Sequence, residues 1–502
     1  MKESSKNYLN PQSGRLFQQR ARRLSSRAGR GSERASPINV SLMPAPSRIN
    51  SRNVYRLAFG SLWLFTLLLY MRPNDLLPIG TFPIVKIVAL IAPIAYIVEQ
   101  SRVGKPLINW MIEVKMVFLL ISLAILFIPA APSPQSSIDT ITDTFIKTVI
   151  VFVLIVQVVN SRERLLSLFK LVVICGAVLG FFAIKSFVTG QFTLSGVRIQ
   201  GLVGGMFGNP NDLATALSIL IPLAVTLAII QKGVSRLFYL ACALTMAGGV
   251  LATFSRTGFL GLLVSTPFML WKFGRGKRVR TMSIATISFA IFLAVAPGGY
   301  GRRVATIFSP DDDQTGSAQR RKEIMLRTLQ IAMRRPIIGV GAGNIAFYTD
   351  DEHVAHNSYL EVAAELGVIG LIAYLTLIFA PVRSLRKIEN ETVDPKTQDV
   401  REFHYLSIGI QAALAAYIVC SFFESIEYLW YIYYTAGYAV ALRQIHAREI
   451  AINAVNAKAL ASTSIGVNQT ALVPVKKLRG KKSKTKPKGS IWVSNRLNKA
   501  IR

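Results

Sequence analysis

Charge is scarce in this chain: Asp, Glu, Lys and Arg make up only 17% of 502 residues, against 51% hydrophobic residues. Soluble domains carry about 25% charged residues, so with a mean hydropathy of +0.41 a soluble globular protein is excluded. Cysteine is nearly absent. Cys175, Cys242 and Cys420 all lie in apolar runs, which rules out a disulfide framework and cysteine metal spacing. No apolar core precedes Val54, so no cleaved signal peptide is expected and the first apolar segment is expected to direct insertion itself. Acidic residues are few, 26 against 58 basic, for a net charge of +32. No aromatic-interleaved groove or nucleic-acid motif accompanies that charge, so no nucleic-acid partner is expected. The excess sits in two polar tails and short loops, where topology and anionic membrane lipid account for it.

What is present is a series of apolar runs of spanning or near-spanning length. They fall at roughly 54–71, 84–99, 115–131, 144–160, 165–188, 211–230, 234–253, 258–273, 281–298, 363–382, 404–423 and 427–443. This predicts an all-α polytopic membrane protein with about twelve transmembrane helices. The organisation read from them is a disordered basic cytoplasmic tail (1–53), nine helices (54–298), one long external loop containing an amphipathic helix (299–362), three helices (363–443) and a second basic cytoplasmic tail (444–502). The loops bearing Arg102, Arg162, Lys232, the cluster from Lys272 to Arg280, and Arg383 alternate and share the side of both tails, which the positive-inside bias makes cytoplasmic.

Arginines on the opposite side run against that bias. Arg198 and Arg256 sit in short external connections, where headgroup phosphate, snorkelling or a substrate anion can each account for them. Arg256 lies in Phe254-Ser255-Arg256-Thr257-Gly258, a near-immediate turn that holds a guanidinium on little backbone. Asn211 or Asp212, after Asn209 and Pro210, is expected to cap the following helix. Within the long loop, Asp311, Asp312 and Asp313 can bind a divalent metal or form a solvated turn, and their flanking Pro310 and Gly316 favour the turn. From Gln319 to Arg335 the pattern is amphipathic, with Met325, Leu329, Ala332 and Met333 on one face and Arg320, Arg327 and Arg334 on another. This predicts a helix lying on the membrane.

Pro336 ends that helix, and Gly339, Gly341 and Gly343 follow at alternate positions. Such glycines let backbone N–H groups turn toward an anion, but the run lacks the spacing of a Rossmann or Walker loop. His353 and His356 have no third ligand nearby to make a zinc site, and a single imidazole suits general-base work better. Asn357 and Ser358 precede a helix as a cap, with Glu361 completing a capping box. Glu365 enters the next span, where it can pair with an arginine, orient His356 or cap.

These residues, taken together, resemble the O-antigen ligase and polysaccharide polymerase superfamily of bacterial envelope glycosyltransferases. The resemblance is carried by Arg198 with Gly-Asn-Pro-Asn at 208–211, Ser-Arg-Thr-Gly at 255–258, the block from Arg320 and Arg321 to Asn344, and His356-Asn-Ser-Tyr-Leu with Glu365-Leu-Gly. It implies a cofactor-free, metal-independent enzyme in the bacterial inner membrane, with its active site on the periplasmic face. The donor would be a polyprenyl-diphosphate-linked glycan and the acceptor a hydroxyl on a glycan or lipid-linked molecule. It further implies His356 and Glu365 as catalytic residues, and Arg198, Arg256, Arg320 or Arg321, Gly341 and Gly343 as the diphosphate-binding set. A polymerase or a protein O-glycosylating enzyme fits the same residues. A transporter or flippase fits less well, because the span centres carry almost no charge and no inverted repeat is visible.

Overall fold

The computed structural model describes residues 55–76, 84–104, 106–194, 198–199, 201–204, 207–274, 279–280, 283, 317–349, 354–393 and 397–470. The described chain is helical apart from one two-stranded antiparallel ribbon, β1 (Phe192–Leu194) with β2 (Arg198–Ile199). The helices are α1 (Arg56–Met71), α2 (Ile84–Val103), α3 (Ile112–Leu126), α4 (Pro134–Val158, with a π turn at Ile141–Phe145), α5 (Arg162–Val188), α6 (Pro210–Ile230) and α7 (Gly233–Ala252). They continue as α8 (Arg256–Phe273), α9 (Ser317–Arg334), α10 (Ser358–Glu391), α11 (Gln398–Phe423) and α12 (Trp430–Thr470).

Seven of these, α2, α4, α5, α6, α7, α10 and α11, are long and apolar enough to cross a membrane by length and composition. The expectation of about twelve is therefore not reached among the described residues. Helix α1 has 16 residues and α3 has 15, which rise about 24 Å or less, short of a hydrocarbon core of about 30 Å. The expected span at 281–298, the 1–53 tail, the Asp311–Asp313 run and His353 fall outside the described residues. Helix α12 continues past Arg443 to Thr470, so the start of the expected C-terminal tail is helical.

Helix α6 is the centre of the bundle, buried along almost its whole length and packed by α5, α7, α8 and α11. A helix apolar all round has no solvent face to turn outward. Its crossing with α8 is close because Gly258 has no side chain: a Cβ there would lie 2.4 Å from the Ala214 Cβ. At the other end of the bundle, Lys272 of α8 pairs with buried Glu389 of α10 at 2.8 Å, and Arg443 of α12 grips buried Glu113 of α3 through two 2.7 Å bonds. These two buried carboxylates, Glu389 and Glu113, are thus each paired with a cation, as burial demands.

Candidate active site

One end of the bundle gathers the starts of four helices. Asn209 caps α6, its Oδ1 accepting from Asn211 N at 2.9 Å, so the cap is neither Asn211 nor Asp212 as expected. Asn211 Oδ1 instead accepts from Ser255 Oγ at 2.9 Å, and Ser255 caps α8 by accepting from Gly258 N. Ser218 Oγ reaches across from α6 to the Gly258 carbonyl at 2.8 Å. Arg256 is the first residue of α8, on a turn with Phe254 at positive φ. It is half-buried on a backbone pinned from both sides, and the N-terminal pole of α8 adds its partial positive charge.

Asn357 caps α10, its Oδ1 accepting from Tyr359 N and Leu360 N at 3.0 Å. The expected capping box does not form. Ser358 Oγ donates to the Glu424 carbonyl at 2.7 Å and accepts from Ile426 N at 2.9 Å, while Glu361 accepts from Ala355 N and from Ser425 Oγ. The segment after α11 is thereby stitched to the start of α10. His356 stands just before the cap, half-buried at φ 50°, a left-handed conformation in which histidine is enriched and which the surrounding bonds hold. Tyr431, in the first turn of α12, donates to the Asp212 carbonyl at 3.1 Å and ties the fourth helix start to α6.

The glycine run has a structural partner in this site. Helix α10 breaks at Gly367, whose φ and ψ are 68° and −173°. The Ala364 and Glu365 carbonyls released by that break accept from Val340 N and Gly341 N, and Val368 N donates to the Pro336 carbonyl. The Glu365 carboxylate, fully buried, accepts from Asn344 N at 3.0 Å, Ile345 N at 3.3 Å and Tyr428 Oη at 2.9 Å, and bonds the Gly343 amide. Amides of this loop, which the sequence suggested turn toward an anion, thus face the carbonyl and carboxyl group of Glu365 in the same chain. Gly341 N docks the loop on the Glu365 carbonyl, and the bonds of the Glu365 carboxyl group go to loop amides and to Tyr428. Ser136 and Ser137 of α4 donate to the Gly343 and Ala342 carbonyls and complete the clamp.

Of the two candidate arginines in α9, Arg321 is the one whose charge reaches Glu424, while Arg320 is solvent-exposed. Arg198 is placed on β2 by its backbone. Glu424 and Glu427 were not singled out from sequence. The signal available was a pair of carboxylates three residues apart at the junction of the apolar runs 404–423 and 427–443. Thr215 Oγ1 donates to Glu424 at 2.8 Å. Burial and the neighbouring Asp212 push Glu424 up to about 8, despite Arg321 and hydrogen bonds from Thr215 and Thr257. Burial and Glu365 push Glu427 up to about 8 as well.

Glu361, Glu365 and Glu427 bring carboxylate oxygens within 4.8 Å of one another and are the described residues best able to hold a metal ion. Glu361 and Glu365 already accept from N–H and O–H donors, whereas Glu427 Oε2 is buried without a hydrogen-bond partner.

A pH dependence follows from Glu424 and Glu427. A carboxyl raised from 4.5 to about 8 holds a proton in the folded state that the unfolded chain releases. That contribution is fully present below about pH 4.5 and is lost as pH rises through about 8. The thermal midpoint in detergent should fall over this window. Glu424→Gln and Glu427→Gln should each flatten the fall; a midpoint that rises with pH through the same window, equally in wild type and variants, counts against the assignment.

Residues 241–375 match the family model described as O-antigen ligase. That segment of the chain is therefore similar to the O-antigen ligase family. The matched segment runs from within α7 to within α10 and contains Arg256, Arg320, Arg321, the glycine loop, His356 and Glu365. Members of the family are enzymes, ligases and polymerases acting on lipid-linked glycans. Arg198, Glu424 and Glu427 lie outside the match, and Glu424 joins it through Ser358 and Arg321. No curated protein matches the chain.

Proposed function

We propose that this protein is a metal-independent membrane glycosyltransferase that moves or polymerises a glycan from a polyprenyl-diphosphate donor onto an acceptor hydroxyl. One observation carries the reading: α8 opens on Arg256 at a turn bonded to the start of α6, at the same bundle end as the His356 cap and Glu424, on which the charge of Arg321 acts. Helix N-termini and guanidinium groups in a partly buried setting favour a diphosphate. Their stabilisation is strongest where negative charge grows as the leaving group departs.

In this reading His356 takes the proton of the acceptor hydroxyl, and the hydroxyl oxygen attacks the anomeric carbon. The carbon–oxygen bond to the diphosphate breaks, and the polyprenyl diphosphate leaves with the electron pair. Arg256 and Arg321, joined by Arg198 from the β2 strand and Arg320 from α9, hold that charge. Single displacement inverts the anomeric centre. The existing diphosphate bond supplies the driving force, so ATP has no role. The site faces the periplasm, both termini are cytoplasmic, and the bilayer is the bacterial inner membrane. Ligation to a lipid-linked acceptor, chain polymerisation and protein O-glycosylation share this donor chemistry.

The test is transfer from a purified polyprenyl-diphosphate glycan by the protein in liposomes, without ATP and with EDTA present. A new glycosidic bond with inverted configuration is the expected product, and its acceptor identifies the ligase, polymerase or O-glycosylation branch. Transfer lost in EDTA and restored by a divalent cation would overturn the metal-independent reading and turn attention to Glu361, Glu365 and Glu427. Movement of intact lipid with no new bond would replace the enzyme with a transporter.

A further inference from the structure

Helix α9 carries apolar side chains on two opposite faces. Ile324, Thr328 and Ile331 turn inward; Ile324 and Thr328 are buried, and Ile331 packs on the small cluster of Val340, Ile345, Ala355 and Ala364. The opposite face is a stripe at spacings of three and four: Leu326 is 52% exposed, Leu329 40% and Met333 65%. Beyond the Pro336 turn, Ile337 and Ile338 continue it at 65% and 50%. Single exposed leucines are ordinary, but a contiguous stripe on one helix marks a contact surface.

Two further features identify what it contacts. Lys322 precedes Leu326 by one helical turn, and Arg334 and Arg335 follow Met333, all exposed, so cations border the stripe at both ends. A groove of about 620 Å³ of empty space joins Arg335, Ile337 and Ile338 to Ala130. Ala130 follows the end of α3, where Ile125 and Leu126 are exposed apolar residues on a hydrophobic helix of the bundle. The stripe is therefore continuous with the exposed apolar residues at the end of α3.

We propose that the outer face of α9, with Ile337 and Ile338, is embedded in the interfacial layer of the bilayer, with Lys322, Arg334 and Arg335 on anionic headgroup phosphates. An amphipathic helix with this division of apolar and basic residues lies with its apolar face about 5–10 Å into the headgroup boundary. Its basic residues each gain from an anionic surface. Immersion fixes the height of α9, and with it the height of Arg321 relative to the headgroups. The inference stands on surface chemistry and does not depend on the proposed reaction.

Native Cys175, Cys242 and Cys420 are buried, so a nitroxide on the full-length protein reports an engineered site. Met333→Cys and Ile337→Cys would be labelled in liposomes, with Leu126→Cys as the lipid reference and Gln398→Cys, on an exposed helix start, as the aqueous one. Oxygen collisions exceeding those of a water-soluble nickel chelate at both sites, at a depth of about 5–10 Å, are expected. Chelate collisions dominating at both, as at Gln398, overturn the proposal. Replacing anionic by zwitterionic lipid, or Lys322, Arg334 and Arg335 by Gln, should move the Ile337 label outward. Equal depth in both lipids and in the variant would overturn the headgroup assignment. No readout requires substrate, so failure here is separable from failure of the enzymatic reading.

Discussion

His356→Ala should lower the rate of glycan transfer by about 10²–10⁴-fold, the range that a positioned general acid or base contributes. A hydroxyl is a poor nucleophile until its proton has somewhere to go, and an imidazole with an ordinary value near 6.5 accepts one at neutral pH. The position is built for a fixed orientation. His356 is held at φ 50° immediately before the Asn357 cap, whose Oδ1 takes two amides of α10. Neighbouring Ala355 donates its amide to Glu361, and Ser358 is bonded to the segment after α11. Removing the imidazole leaves those bonds in place, so the variant should fold and retain donor affinity. The measurement is single-turnover transfer across pH. Wild type should lose rate on the acid side as the base protonates, and His356→Ala should lack that limb. A variant with full rate, or one with the limb intact, removes His356 from the base role. Arg256→Ala, assayed alongside, should cost about 10²–10³-fold in rate, as lost oxyanion donors do, with no change in the position of the acid limb.

Gly367→Ala should prevent the glycine loop from docking and destabilise the fold around it. The backbone at Gly367 lies at φ 68° and ψ −173°, a region open to glycine alone. The conformational cost for alanine is about 1–3 kcal/mol. Contact adds to it, because a Cβ at Gly367 would sit 2.4 Å from the Ile337 carbonyl oxygen, which is backbone and cannot swing aside. Gly339 is the mirror case: at φ 71°, its Cβ would lie 2.3 Å from the Glu365 carbonyl oxygen. Either change forces the loop from α10 and strips Glu365 of the Asn344 and Ile345 amides. A buried carboxyl without its donors is costly. Thermal unfolding in detergent should show a lowered midpoint for Gly367→Ala and Gly339→Ala. Gly60→Ala is the control, since nothing lies within 4 Å of that Cβ on α1. Midpoints for all three equal to wild type would mean that the loop is not clamped as described.

Local rules read the chain well where one segment decides its own shape. The three-residue turn between α7 and α8, the end of α9 before Pro336 and the helix start near Asn357 all follow from capping and from proline's missing donor. They read it less well where composition alone had to set length. The count near twelve came from apolar runs, yet α1 and α3 close after 16 and 15 residues.

Sequence by itself determined a membrane-class composition, a helical bundle, and the set of arginines, glycines and His356 that carries the superfamily resemblance. Only the tertiary structure decided how they are used. Arg320 and Arg321 are neighbours of the same kind, and in the folded α9 Arg320 is exposed while Arg321 is half-buried and its charge acts on Glu424. A glycine run and an anion-binding loop look alike along the chain. Their difference lies in what faces the amides, which here is the carboxylate of Glu365, brought there because α10 breaks at Gly367. Glu361, Glu365 and Glu427 are separated by up to 66 residues in sequence, and folding brings their carboxyl oxygens within 4.8 Å of one another. Periodicity assigns residues to faces, whereas the pairing of faces follows from close packing of helices distant in the chain.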